Sequence, residues 1–153
     1  MLALTGIASI LTAEKINSAS AEELQAFGIS YRKAEYIKDF AAKIVSGEFN
    51  TAELEQMTDG EVIEKLTALK GIGVWTAEML LLFCLQRPDV LSFGDFGIQK
   101  GMRMVYRHRK IDRKLFEKYR KRLSPYGSTA SLYFWAVAGG AVEGLTDPAP
   151  KKK

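Results

Sequence analysis

Two stretches of the sequence hold residue types in patterns that chemistry could use. One is an aspartate set among glycines, Asp95 in Ser92-Phe93-Gly94-Asp95-Phe96-Gly97-Ile98; the other, ending eighteen residues earlier at Ala77, is Leu69-Lys70-Gly71-Ile72-Gly73-Val74-Trp75-Thr76-Ala77. Glycines at 71 and 73 between apolar runs predict a tight turn between two helices. Such a corner leaves no Cβ in the way of an approaching group, and the first amides of the following helix have no partner inside it. With the helix dipole added, that arrangement suits a phosphate oxygen. A helix C-cap at Gly71 in an ordinary αα-hairpin accounts for the same pattern. Asp95 likewise has two readings, a reactive carboxylate or the N-cap of the next helix.

Charge and cysteine content bound the partners. The net charge is +4, and between Gln99 and Arg122 eleven basic side chains (Lys100, Arg103, Arg107, Arg109, Lys110, Arg113, Lys114, Lys118, Arg120, Lys121, Arg122) face only Asp112 and Glu117. Residues 1–98 are net acidic. The basic stretch suits a polyanion, with a solvated helix face as the plain alternative. His108, the only histidine, falls inside it and reads as a solvated or phosphate-contacting residue rather than a catalyst. The single cysteine, Cys84, allows neither a disulfide nor a cysteine-built metal site within one chain, which fits a reducing compartment. Inside Met79-Leu80-Leu81-Leu82-Phe83-Cys84-Leu85 it is expected to be a small buried hydrophobe. Met1 to Leu11 lacks the basic flank and cleavage site of a signal peptide. The apolar runs Val74 to Leu85 and Ala130 to Ala138 are shorter than the roughly twenty residues of a membrane span. They read as core helices, with no membrane partner, and if the source is bacterial the setting expected is cytoplasmic.

The elements that must position these residues are all helical, since no run of alternating β-branched residues is bounded by hairpin turns. Ser20-Ala21-Glu22-Glu23 opens a short helix ending near Gly28, and Ser30 caps a longer one to about Val45, with Ala34, Ile37, Ala41 and Ile44 on one face. Asn50 or Thr51 begins another short helix, and Thr58-Asp59-Gly60-Glu61 caps the helix whose stripe Val62, Ile63, Leu66, Leu69 leads into the glycine turn. A buried helix Val74 to Leu85 follows, Arg87-Pro88-Asp89 breaks it, and Asp95 opens a helix to about Tyr106. The basic helix starts near Asp112, and Ser128 caps a last helix stopped by Gly139-Gly140. The expected division is one all-α domain, 1–146 (hairpin 62–84, catalytic segment 89–101), and a flexible basic tail, 147–153.

Three motifs, in this order and spacing, carry a family resemblance: Leu69 to Met79 (LKGIGVWTAEM), Arg87 to Gly101 (RPDVLSFGDFGIQKG) and Ser124 to Trp135 (SPYGSTASLYFW). The chain resembles the helix-hairpin-helix base-excision DNA glycosylases, on the branch of 3-methyladenine DNA glycosylase II, over roughly Ile16 to Gly140. The resemblance implies an all-α fold of two helical lobes with the active site in a cleft. It implies a phosphate grip at Lys70, Gly71, Ile72, Gly73, Val74 and Thr76, and a Na+ or K+ ion at the carbonyls of Leu69 and Ile72 when DNA is bound. Asp95 falls on the family's catalytic aspartate. Trp75 and Trp135 fall on aromatic positions of its base pocket, with Met79, Tyr133 and Phe96 as neighbours. Core packing is the alternative for all five.

The chemistry implied is removal of an alkylated purine from double-stranded DNA. Cleaving the N-glycosidic bond builds positive charge on the sugar, which a fixed carboxylate stabilises, once the nucleotide is flipped out. Bifunctional relatives carry a lysine where Trp75 stands, to form a Schiff base; tryptophan cannot, so no AP lyase activity is expected. The cysteine motif that ends many of those relatives is absent, so no iron–sulfur cluster is expected, and no other cofactor. Lys70 replaces a usual proline, and Gly127 stands where many relatives have arginine. The chain also begins after the point where family members have further helices, including the turn that fills the gap left by the flipped base. A shortened member exposing apolar surface would favour self-association. A catalytically silent DNA-binding module therefore stays open beside the enzyme, as does a helical domain whose basic face meets an acidic protein.

Overall fold

The computed structural model describes residues 12–149, so Met1 to Leu11 and the end of the tail, Pro150 to Lys153, lie outside the described residues. Among those described, every regular element is helical: eight α-helices and one 3₁₀ helix. The chain divides after Gly73 into two compact units.

The first unit runs through α1 (Ala13–Ser18), α2 (Ala21–Gln25), α3 (Tyr31–Val45), the 3₁₀ helix Thr51–Gln56 and α4 (Asp59–Thr67). Its helix starts follow side-chain chemistry. Ser20 with Glu23 and Thr58 with Glu61 form reciprocal capping boxes, and Asn50 accepts from the Ala52 amide. Ser30 begins α3 but makes no side-chain capping bond. α1 and α2 both pack on α3, where Ala34 and Ala41 are buried, small side chains that let neighbours come close. Ile37, expected on that buried face, is 38% exposed instead. Val62, Leu66 and Leu69 form the buried stripe of α4 and its end.

The second unit contains α5 (Val74–Phe83), α6 (Phe96–Tyr106), α7 (Arg113–Leu123) and α8 (Gly127–Ala138) around a core of Leu91, Ile98, Met102, Ile111, Phe116, Tyr119 and Phe134. α6 lies against α8, and two glycines one turn apart explain how closely. A Cβ on Gly101 would stand 2.3 Å from the Phe134 carbonyl oxygen, and one on Gly97 would stand 2.5 Å from the Trp135 ring.

Four expectations about this unit are corrected. The helix from Val74 ends at Phe83, and although Ala77, Leu81 and Leu82 are buried, Val74, Trp75 and Phe83 are exposed. Its apolar residues run round almost the whole helix, interrupted by Thr76 and Glu78, and the core covers only one face. Cys84, just past its end, is exposed rather than buried. Ser128 does not cap α8; it accepts from the Val90 amide and donates to the Arg87 carbonyl, holding the preceding loop instead. His108 is not simply solvated, because its Nε2 is hydrogen-bonded to the Tyr119 hydroxyl at 2.8 Å.

Exposure of the basic stretch fits both of its readings, a solvated face and a polyanion-facing surface. Arg113, Lys114, Lys118, Arg120, Lys121 and Arg122 are exposed on α7, while Phe116 and Tyr119 hold its buried side. Two of its members are structural: Lys100 donates to the Ala138 carbonyl at the end of α8, and Arg103 grips Asp147 through two bonds of 2.9 and 2.6 Å.

Candidate active site

Asp95 sits at the start of α6, only 6% exposed, and everything that touches its carboxylate donates. Oδ1 accepts from the Ile98 amide and from Trp135 Nε1, both at 2.8 Å, and Oδ2 accepts from Trp75 Nε1 at 2.8 Å. The capping reading of Asp95 is thus observed, with Oδ1 holding the Ile98 amide at the start of α6. Burial pushes the carboxyl pKa up, but the bonds from Ile98, Trp75, Trp135 and the Gly97 amide outweigh it, and the group is held below its ordinary value. At neutral pH it is an anion with no proton to give and little tendency to take one.

The second unit supplies each partner from a different element. α5 presents Trp75 in its first turn, and α8 presents Trp135 near its end. Gly97 makes room for the Trp135 ring, which also stacks on Phe83, centroids 5.8 Å apart and 12° from parallel. Trp75, Phe83 and Phe96 are 51%, 59% and 76% exposed, so the anion is rimmed by open aromatic surface. Aromatic faces attract cations.

The loop that delivers Asp95 is tied down along its length. Asp89 accepts from the Ser124 hydroxyl at 2.7 Å and from the Gly127 amide at 3.0 Å, and the wholly buried Ser131 donates to the Val90 carbonyl at 2.8 Å. Ser92, also wholly buried, donates to Glu78 on α5. Burial raises the Glu78 pKa and Asp95 adds to that, while the Ser92 bond, Arg113 and Arg120 act against it. Gly127 has its own reason to be glycine here: a Cβ would stand 2.7 Å from Asp89 Oδ1.

Among the residues singled out from sequence, the structure brings together Asp95, Trp75 and Trp135. Met79 lies half-buried on α5 and Phe96 projects into solvent beside Asp95. Tyr133, 70% exposed, lines a separate depression with Tyr106, Arg122 and Tyr126. At the end of the first unit, Gly71 has φ +83° and the Tyr36 ring lies against it; a Cβ would fall 2.3 Å from Tyr36 Cδ2. Lys70 is exposed and Ile72 half-buried, with the Ile72 amide donating to the Leu69 carbonyl at 3.3 Å. That carbonyl keeps a second lone pair, which suits a hard monovalent cation. Gly73 closes this unit, and Val74 and Thr76 belong to the first turn of α5.

Phe83 escaped the reading of the sequence, although Trp75, Met79 and Phe83 recur every four residues along one helix. The paired glycines 97 and 101 were equally legible as a close-approach face. Tyr36 had no local signal, because its partner is thirty-five residues away.

The family model described as HhH-GPD superfamily base excision DNA repair protein matches residues 3–125. The chain belongs to this superfamily. Among its curated relatives, DNA-3-methyladenine glycosylase 1 of Schizosaccharomyces pombe is 37% identical over 144 residues, covering 93% of this chain and 62% of the relative. A putative DNA-3-methyladenine glycosylase of Bacillus subtilis is 35% identical over 126 residues, 80% of this chain and 43% of the relative. The chain thus spans between two fifths and two thirds of these relatives. Of solved superfamily structures, the DNA-3-methyladenine glycosidase of Bacillus halodurans aligns with a TM-score of 0.76 at 43% identity, over 87% of this chain and 62% of that one. The S. pombe enzyme Mag1, solved in complex with abasic DNA, aligns with a TM-score of 0.76 at 38% identity, over 85% and 64%.

Proposed function

We propose that this superfamily member is a monofunctional DNA glycosylase that removes alkylated purines, of the 3-methyladenine type, from double-stranded DNA. The observation that carries this reading is the all-donor cradle of Asp95: two indole N–H groups and one backbone amide keep an anion fixed inside an aromatic rim. An anion of lowered pKa is a poor general base, so its contribution is electrostatic, stabilising the cationic sugar as the glycosidic bond breaks and orienting the incoming water. A purine alkylated on a ring nitrogen is already cationic and leaves without a general acid. Its charge favours the aromatic faces of Trp75, Phe83 and Trp135. With an indole at 75 no Schiff base forms, and the product is an intact abasic site.

DNA is held in this proposal by the backbone of the glycine turn, at Lys70, Gly71, Ile72, Gly73, Val74 and Thr76. A Na+ or K+ ion at the Leu69 and Ile72 carbonyls would supply positive charge toward the phosphate. The test uses methylated duplex DNA, followed by hot alkali to break abasic sites, with wild type and Asp95→Asn side by side. Base release is expected from the wild type and a loss of roughly a hundredfold or more in the variant. No release by the wild type, with salt-sensitive binding retained, would leave a DNA-binding module instead. Strand breakage without alkali would overturn the monofunctional assignment.

A further inference from the structure

Beside the glycine turn, within the first unit, lies a groove of ≈ 240 Å³. Its walls come from α3, through Lys33, Tyr36, Ile37 and Phe40, and from the turn itself, Lys70 to Ile72. Positions 33, 36, 37 and 40 follow the i, i+3, i+4, i+7 spacing of a single helix face. This explains why Ile37 is open to solvent: it belongs to the groove and not to the buried Ala34–Ala41 stripe. The floor is apolar and aromatic, and the charge comes from one lysine on each wall.

Lys33 and Lys70 are exposed, and among the described residues neither makes an ion pair. The acidic residues of the same helix do not cancel them. At about 100° per residue, Glu35 and Asp39 point well over 90° away from the middle of the groove stripe. Tyr36 joins the two features, since its ring is packed directly on Gly71. The groove is therefore continuous with the turn, carries two uncompensated cations, and has a floor suited to sugar carbons rather than to water.

Resting on the reading of the chain as a DNA-binding glycosylase, we infer that this groove seats the DNA backbone adjoining the phosphate held by the turn, with Lys33 neutralising one further phosphate. Lys33 is then a DNA-binding residue from outside the hairpin, and Tyr36 a positioning residue that shapes the turn.

Salt dependence of binding to an undamaged duplex of about 20 base pairs, read by fluorescence anisotropy, tests this. Each phosphate neutralised adds about 0.9 to the slope of log K against log[salt]. Lys33→Ala is expected to flatten the slope by about 0.9, equivalent to roughly eightfold weaker binding at 0.1 M than the 1 M extrapolation implies. Lys43→Ala, which removes a lysine of α3 already paired with Glu48, should leave the slope unchanged. The melting curve of Lys33→Ala should match the wild type because the side chain is exposed. An unaltered slope in Lys33→Ala, with the wild type still salt-dependent, overturns the groove and spares the glycosylase reading. An equal change in Lys43→Ala also overturns it, as a mere effect of net charge. A wild type that does not bind the duplex overturns both.

Discussion

Replacing Asp95 by asparagine changes almost no volume but inverts the hydrogen-bond chemistry of one atom. Oδ1 receives two donors and Oδ2 receives one, so the oxygen of the substituted amide would take the Oδ1 position and its NH₂ would face Trp75 Nε1–H. A bond to a charged acceptor, worth about 1.5–3 kcal/mol, becomes a donor–donor contact. The two bonds that survive weaken, because charge-assisted bonds are roughly twice as strong as neutral ones. Against this, the variant no longer buries a charge. Trp75 is half-exposed and can swing aside, which keeps the cost at the low end of that range, about 2 kcal/mol net.

For a chain of this length that corresponds to a fall in Tm of about 4–8 °C at pH 7, measured by calorimetry or circular dichroism. The pH dependence has a definite sign. Because the folded-state pKa of Asp95 lies below its ordinary value, its contribution is complete above the unfolded value of about 3.9 and is lost as pH falls through the folded one. The gap between wild type and Asp95→Asn should be constant from about pH 7 to 5 and shrink below about pH 4. A variant as stable as the wild type at pH 7, or a gap that widens in acid, would refute the cradle as the device that holds the anion.

Other consequences are open to simpler assays. Trp75→Phe keeps the aromatic face but removes the Oδ2 donor, so base release should fall roughly tenfold, the worth of one such bond, and the acidic limb of the pH–rate profile should move to higher pH; an unmoved limb would show that the bond does not tune Asp95. Gly101→Ala gains about 1 kcal/mol of helix propensity but drives a methyl into the Phe134 carbonyl. Overpacking against backbone costs up to about 3 kcal/mol, so a lower denaturation midpoint is expected, and an unchanged one would mean that α6 and α8 separate freely. Ser131→Ala leaves the Val90 carbonyl without its buried donor and should destabilise by about 1–3 kcal/mol in urea titration. Asp147→Ala breaks the two-bond pair with Arg103 and, since both partners keep some contact with water, should cost no more than about 1 kcal/mol.

Local chemistry was legible along the chain wherever its cause is local. The capping boxes at Ser20 and Thr58, the turn at Gly71 and the N-cap at Asp95 each depend on residues within four positions of the backbone they satisfy, and each stands where the sequence placed it. The three motifs also sufficed to identify the superfamily. Ser128 was misread for the opposite reason. Its residue type suits a cap, but the loop at Arg87 to Val90 competes for the same hydroxyl, and nothing within reach of Ser128 along the chain announces that competitor.

Tertiary structure alone decided what surrounds the anion. Trp75, Asp95 and Trp135 were each visible as candidates, yet that both indoles turn their N–H groups to one carboxylate depends on α5, α6 and α8 meeting at that point. Their meeting depends on Gly97 and Gly101 removing the bulk between α6 and α8. Cys84 and Phe83 looked like core from composition and proved exposed, because a helix with no polar stripe on its outer face says nothing about which side its neighbours will cover. Periodicity carries burial only where polar residues mark the outer face. Where they do not, as on α5, the packing of distant helices assigns inside and outside, and that assignment put an aromatic rim beside Asp95.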